Sequence, residues 1–84
     1  MDKVEILAKL KSVVTAYAQD KEALENLHDN TDFIKDLKIN SANLVDIVLD
    51  VEEEFGIEID NESMEKMLTI KASVEIIEQK LLAK

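Results

Sequence analysis

One serine carries most of the chemistry this chain offers. Ser41 stands in the run Leu37-Lys38-Ile39-Asn40-Ser41-Ala42-Asn43-Leu44-Val45-Asp46, where an amphipathic helical pattern begins. A serine at such a place is most often an N-cap, its hydroxyl accepting from a backbone N–H two or three residues on. Asn40 is an equally good cap, and if it takes that role the Ser41 hydroxyl is left free in the first turn, near the positive end of the helix dipole. An exposed anion there gains roughly 0.3–1 kcal/mol from the dipole and the unpaired N–H groups. The place suits a phosphorylated adduct. Hydrolysis by Ser41 is the remote alternative, because no recurring histidine base and no glycine-framed nucleophile turn accompany it. His28 is the lone histidine and reads as a solvated loop residue; with no cysteine beside it, no zinc set can be completed. Asp29, Asp32 and Asp36, like Asp60, Asn61 and Glu62, lack the spacing of a calcium-binding loop, so no metal site is expected.

The elements that must hold Ser41 are helical. The chain has 84 residues, 46% apolar and 35% charged, with one glycine and no proline. That composition favours helices and leaves almost no turn residues for β-hairpins. The expected fold is all-α: a small four-helix bundle of three long helices and one short, in a single domain over residues 1–84, with a long loop between helices one and two. Helix one, about Asp2 to Ala18, turns Ile6, Leu7, Leu10, Val13, Val14 and Tyr17 inward. From Gln19 to Asn40 the pattern loosens into a long ordered loop, with a helical turn near Lys21 to Leu27. Leu24, Leu27, Phe33, Leu37 and Ile39 are its anchors. Helix two runs from about Ser41 to Phe55, with Leu44, Val48, Val51 and Phe55 on one face, Ile47 beside them, and Gly56 as a left-handed cap. Ile57-Glu58-Ile59 is extended, a brief helix holds Met64, Met67 and Leu68, and a last helix from about Lys71 to Leu82 points Val74, Ile77 and Leu81 inward.

Charge narrows the partners. The net charge is −9, and from Ala42 to Glu65 there are nine carboxylates and no lysine, arginine or histidine. Such a surface repels phosphate backbones and anionic membranes, so neither nucleic acid nor membrane insertion is expected, and a basic protein partner is implied. At 100° per residue Val45 and Leu49 fall away from the apolar stripe, among Ala42, Asp46, Glu52 and Glu53. They read either as scattered exposed aliphatics or as a docking patch. No signal peptide and no membrane span are visible, which makes a cytoplasmic location the default.

The residues from Phe33 to Asp46 follow a pattern of Phe, then Asp36-Leu37, then the serine and a downstream Val45-Asp46. With Val51-Glu52-Glu53-Glu54-Phe55-Gly56-Ile57-Glu58-Ile59 and Met67-Leu68-Thr69-Ile70, they make the sequence similar to the acyl carrier proteins over almost its whole length. The resemblance implies a non-catalytic carrier. It makes Ser41 the attachment point of 4′-phosphopantetheine, placed there from coenzyme A by a phosphopantetheinyl transferase with Mg²⁺, and has acyl intermediates held as thioesters for fatty acid, polyketide or related biosynthesis. Partners would be acyl-activating, synthase or transferase enzymes with basic docking patches, and the carrier a monomer. The partner-facing positions carried over are Ala42, Asn43, Val45, Asp46, Leu49, Glu52 and Glu53, with Asn40 beside them. Where the family usually has Asp-Ser-Leu-Asp, this chain has Asn40-Ser41-Ala42-Asn43, which points to a specialised carrier with dedicated enzymes. An aminoacyl or peptidyl carrier, and an unmodified acidic helical interaction module, stand as the alternatives.

Overall fold

A computed structural model describes residues 2–83. Five α-helices follow in order: α1 (Lys3–Thr15), α2 (Lys21–Glu25), α3 (Leu44–Phe55), α4 (Asn61–Lys66) and α5 (Ile70–Leu82), with a 3₁₀ turn over Ser41–Asn43 leading into α3. Among the described residues there is no strand, only an isolated antiparallel bridge between Asp32 and Thr69. The all-α expectation holds, with one difference: the turn expected near Lys21 is a short helix, so three long helices are joined by two short ones. Asp20 makes that helix possible by accepting from the Ala23 N–H at 3.1 Å, and the buried Leu24 ties it to the core.

Helix α1 starts where Asp2 accepts from the Glu5 N–H, and it buries Ile6, Leu10 and Val14. Leu7, expected on the same stripe, is exposed instead. Helix α3 buries Ile47, Val48, Val51 and Phe55 and ends at Gly56, whose φ of 64° and ψ of 42° form the left-handed cap. Helix α4 ends at Lys66, so Met67 and Leu68, expected in it, follow it instead, and the Thr69 hydroxyl accepts from the Ala72 N–H at 3.2 Å and starts α5. Helix α5 buries Ile70, Ile76 and Ile77, with Val74 and Leu81 half-buried. Ile76 widens the inward face beyond the expected Val74, Ile77 and Leu81.

The connection from Asn26 to Asn40 is tied to the rest of the fold by backbone hydrogen bonds and buried side chains. Its backbone crosses to the start of α5: Phe33 N–H donates to Leu68 O, Ile70 N–H to Thr31 O and Lys71 N–H to Asp29 O. Inside it, Asp32 accepts from the Ile34 and Lys35 N–H groups while its own N–H donates to Asp36. Phe33 and Leu37 are fully buried and Ile39 is 2% exposed. Each such side chain contributes about 1.5–3 kcal/mol of burial, which is what holds so long a connection in one conformation.

One core residue is at odds with its surroundings. Ser73 is fully buried among Ile70 and Ile77 on α5, and its hydroxyl finds no hydrogen-bond partner among the described residues. An unsatisfied buried group costs about 1–3 kcal/mol. Ser73→Ala is therefore expected to stabilise the protein by about 1 kcal/mol, read as a higher midpoint in urea unfolding. A midpoint at or below that of the parent would show that the hydroxyl is satisfied.

Candidate functional site

The position of Ser41 is set by residues on both sides of it. Leu37 and Ile39 both point into the core, and the Leu37 carbonyl accepts from the Gln19 and Asp20 N–H groups while Ile39 N–H donates to Phe33 O. Between them Lys38 has φ of 58°, the one positive value outside glycine among the described residues. For a residue with a Cβ this region costs roughly 1–2 kcal/mol, and burial of its neighbours offsets it.

Asn40 follows in extended conformation, and its Oδ1 accepts from the Ala42 N–H at 2.9 Å. Its carbonyl accepts from the Asn43 N–H at 2.8 Å. Asn40 thus takes the capping role, and Ser41 is left exposed, its hydroxyl in none of the side-chain hydrogen bonds of the described residues. At the α3 boundary Asn43 makes no side-chain cap bond. A nucleophilic or acceptor oxygen at this place faces solvent at the entry to a 12-residue helix, whose dipole favours an attached anion.

The α3 surface after Ser41 has the composition read from its periodicity. Val45 and Leu49 are 51% and 54% exposed, and Asp46 and Glu53 are exposed around them. Ala42 is exposed and Asn43 half-buried, both in the turn at the helix start. Glu52 is different. It is half-buried, and its Oε2 accepts from the Ile59 N–H at 2.7 Å, so this carboxylate holds the connection after α3 in place. On the other flank Asp50 accepts from the Tyr17 hydroxyl at 2.6 Å, which joins the end of α1 to the middle of α3. That bond to Asp50 pushes the Tyr17 phenol up to about 12. His28 lies in the connection after α2, its Nδ1 accepting from the Asn30 N–H, and lines a surface groove with Lys35 and Lys38. Among the described residues no cluster of three or more His, Cys, Asp or Glu is arranged to hold a metal ion.

Between Leu49, Ile57 and Ile59 the surface opens into a shallow groove of about 750 Å³ rimmed by Glu53, Glu58 and Asp60. Lys80 reaches it from α5 and pairs with Asp60 at 3.0 Å. The Ser63 hydroxyl and this ammonium hold the Asp60 carboxyl down at about 2. Glu53 and Glu54 have no such partner in any ion pair of the described residues. Glu53→Gln with Glu54→Gln removes like charge without touching the core, and a thermal midpoint a few degrees higher is expected. Mg²⁺ is expected to raise the parent's midpoint more than NaCl at matched ionic strength. Indifference to both would mean that lysines from other segments already offset the acidic helix.

The chain matches the family described as phosphopantetheine attachment site over residues 8–77, which includes the Ser41 turn and all of α3. It is 33% identical to the acyl carrier protein of Coprothermobacter proteolyticus over 84 residues, the full length of both chains. Against the acyl carrier protein of Thermotoga maritima it is 36% identical over 77 residues, 92% of this chain and 93% of that one. The acyl carrier protein of Lactobacillus acidophilus is 35% identical over 78 residues, 92% of this chain and 94% of its own. With an exposed serine at the entry to an acidic helix inside the matched span, the chain belongs to the phosphopantetheine-binding acyl carrier protein family.

Proposed function

We propose that Ser41 is the residue that carries 4′-phosphopantetheine, and that the chain acts as one carrier domain presenting acyl groups to separate biosynthetic enzymes. The observation that supports this most is the free, exposed Ser41 hydroxyl beside an Asn40 side chain that has taken over the cap. A serine engaged in capping would have to surrender a hydrogen bond to be modified. This one does not. The residues present fit the group: Ser41 is exposed, and the α3 dipole favours a phosphodiester at its entry. When attached, the group supplies a terminal thiol able to hold an acyl chain as a thioester, and the chain itself has no cysteine to do so. One continuous apolar cluster running from Ile6 to Ile77 supports the single domain.

Val45 and Leu49, ringed by Asp46 and Glu53, are the proposed contact surface for the transferase and for the enzymes that load and unload the arm. Their partners would offer an apolar contact bordered by lysine or arginine. Unpaired surface charge of one sign speeds encounter and lets several enzymes use one carrier in turn. Fatty acid, polyketide or a related biosynthesis is the proposed setting. The substitutions in Asn40-Ser41-Ala42-Asn43 favour a specialised carrier with its own enzymes.

Incubation with coenzyme A, Mg²⁺ and a broad-specificity phosphopantetheinyl transferase is expected to add the mass of one phosphopantetheine, and Ser41→Ala to abolish the gain. An unchanged mass with several transferases, or an equal gain in the variant, would defeat the assignment. For the contact surface the informative pair is Asp46→Lys with Glu53→Lys, because Glu52 has a structural bond to Ile59 that its replacement would break. The pair is expected to slow association with the transferase by about tenfold at low salt and by less at high salt, with the helical circular dichroism unchanged. A rate that stays the same at every salt concentration would place the contact elsewhere.

A further inference from the structure

The groove beside α3 already holds one ammonium. It opens between Leu49, Ile57 and Ile59, and four carboxylates line it, those of Glu52, Glu53, Glu58 and Asp60. No lysine, arginine or histidine lies between Lys38 and Lys66 in the sequence, so the segment that builds most of the groove brings no cation of its own. Lys80 comes from α5 instead, the single cation in the lining, and its Nζ stands 3.0 Å from Asp60 Oδ1. The other two ion pairs among the described residues, Lys3 with Glu78 and Lys66 with Glu62, are 3.9 and 3.8 Å apart, beyond hydrogen-bond range. Among the described residues Lys80 therefore makes the one close ion pair, and it ties α5 to the acidic segment.

Pairing with Lys80 leaves most of the groove unfilled. Leu49 is 54% exposed, Ile59 is half-buried, and Glu53 and Glu58 are exposed with no ion pair among the described residues. The Asp60 side chain is itself 54% exposed and that of Lys80 32%. An ion pair so open to water is weak and easily exchanged. A bare cation in place of Lys80 would swap one such pair for another and gain nothing. A lysine or arginine that arrives beside an aliphatic side chain also covers Leu49 and Ile59, and so adds apolar burial that Lys80 does not give.

We infer that this groove takes a segment of the phosphopantetheinyl transferase in which an aliphatic side chain stands beside a lysine or arginine, and that Lys80 is an internal competitor which leaves Asp60 when that cation arrives. The inference deepens the contact surface proposed above and rests on it, since Leu49 and Glu53 belong to both. In the free protein Lys80 offsets one charge of the acidic rim. In the complex the partner does so, and Lys80 is released to solvent. Docking is thereby weakened, and what remains depends on the apolar contact as well as on charge.

The test measures the KM for the carrier with a broad-specificity transferase, at fixed coenzyme A and Mg²⁺, for the parent, Lys80→Met, Asp60→Asn and the double variant. Lys80→Met keeps an apolar stem, and the Asp60 side chain makes no cap bond to α4 that Asn would lose. Lys11→Met is the control for net charge, because Lys11 is exposed on α1 and in no ion pair of the described residues. Expected is a fall of about threefold in the KM of Lys80→Met at low salt, the size of one exposed ion pair. The difference is expected to shrink at high salt, and Lys11→Met to stay near the parent. Asp60→Asn is expected to raise the KM, and Lys80→Met added to it to change nothing further. An unchanged or raised KM in Lys80→Met overturns the inference, as does an equal fall in Lys11→Met or a fall that persists without Asp60. A lower thermal midpoint in Lys80→Met with the parent KM would make the pair purely structural and overturn it too. If Asp46→Lys with Glu53→Lys leaves association unchanged, the contact-surface reading falls and this inference with it; if that pair slows association while Lys80→Met matches the parent, only this inference falls.

Discussion

Burial of Phe33, Leu37 and Ile39 in the bundle decides where Ser41 emerges. The connection between α2 and α3 has no regular structure beyond a few turns, and a free chain of that length would scatter its serine over many positions. Three buried side chains and backbone bonds to Gln19, Asp20 and Leu68 remove that freedom. Between Leu37 and Ile39 the backbone at Lys38 is left-handed. The strain is modest beside about 1.5–3 kcal/mol of burial for each neighbour. Asn40, Ser41 and α3 then follow in fixed succession, so the exposed hydroxyl inherits its place from apolar contacts that never touch it.

The acidic surface sets packing against association. Carboxylates on α3 serve different ends although they look alike in the sequence. Glu52 and Asp50 are tied to Ile59 and Tyr17 and work within the fold. Asp46 and Glu53 have no such ties and face solvent beside Val45 and Leu49. This second set, with the exposed Glu54, is free to meet a basic partner, and none of the three is in an ion pair of the described residues. A surface of this kind gives up some stability of the free protein for rapid, salt-sensitive encounter.

What the sequence could show followed from the range of each signal. The body of helix α3, its Gly56 cap and the outward placement of Val45 and Leu49 are written in local periodicity and one glycine and appear as read, whereas the expected first turn at Ser41–Asn43 is 3₁₀ and the α-helix starts at Leu44. Helix α2 has only five residues, too few for a 3.6-residue period to register, so it showed as a turn. The bond from Tyr17 to Asp50 links residues 33 positions apart, and Glu52 reaches an N–H seven residues on across the end of its helix. Neither leaves a mark in composition or spacing. Lys38 was hidden for another reason: lysine carries no turn signal that would announce its left-handed backbone.

On the proposed reading, the carrier needs two electrostatic properties that oppose each other, a negative face for its partners and tolerance of an anion at Ser41. Distance reconciles them. Glu53 lies twelve residues beyond Ser41, roughly 18 Å of helical rise, and Asp46 five residues beyond, roughly 8 Å. The Debye length at physiological salt is about 8 Å, so the far acids are largely screened from a phosphate at the serine, and Asp46 stands at the margin. The helix dipole acts only over the first turn and favours the anion there. Short-range attraction at the start of α3 and longer-range negative potential along it can therefore coexist on one helix. With Asn40, Ala42 and Asn43 uncharged, Asp46 is the first carboxylate after the serine.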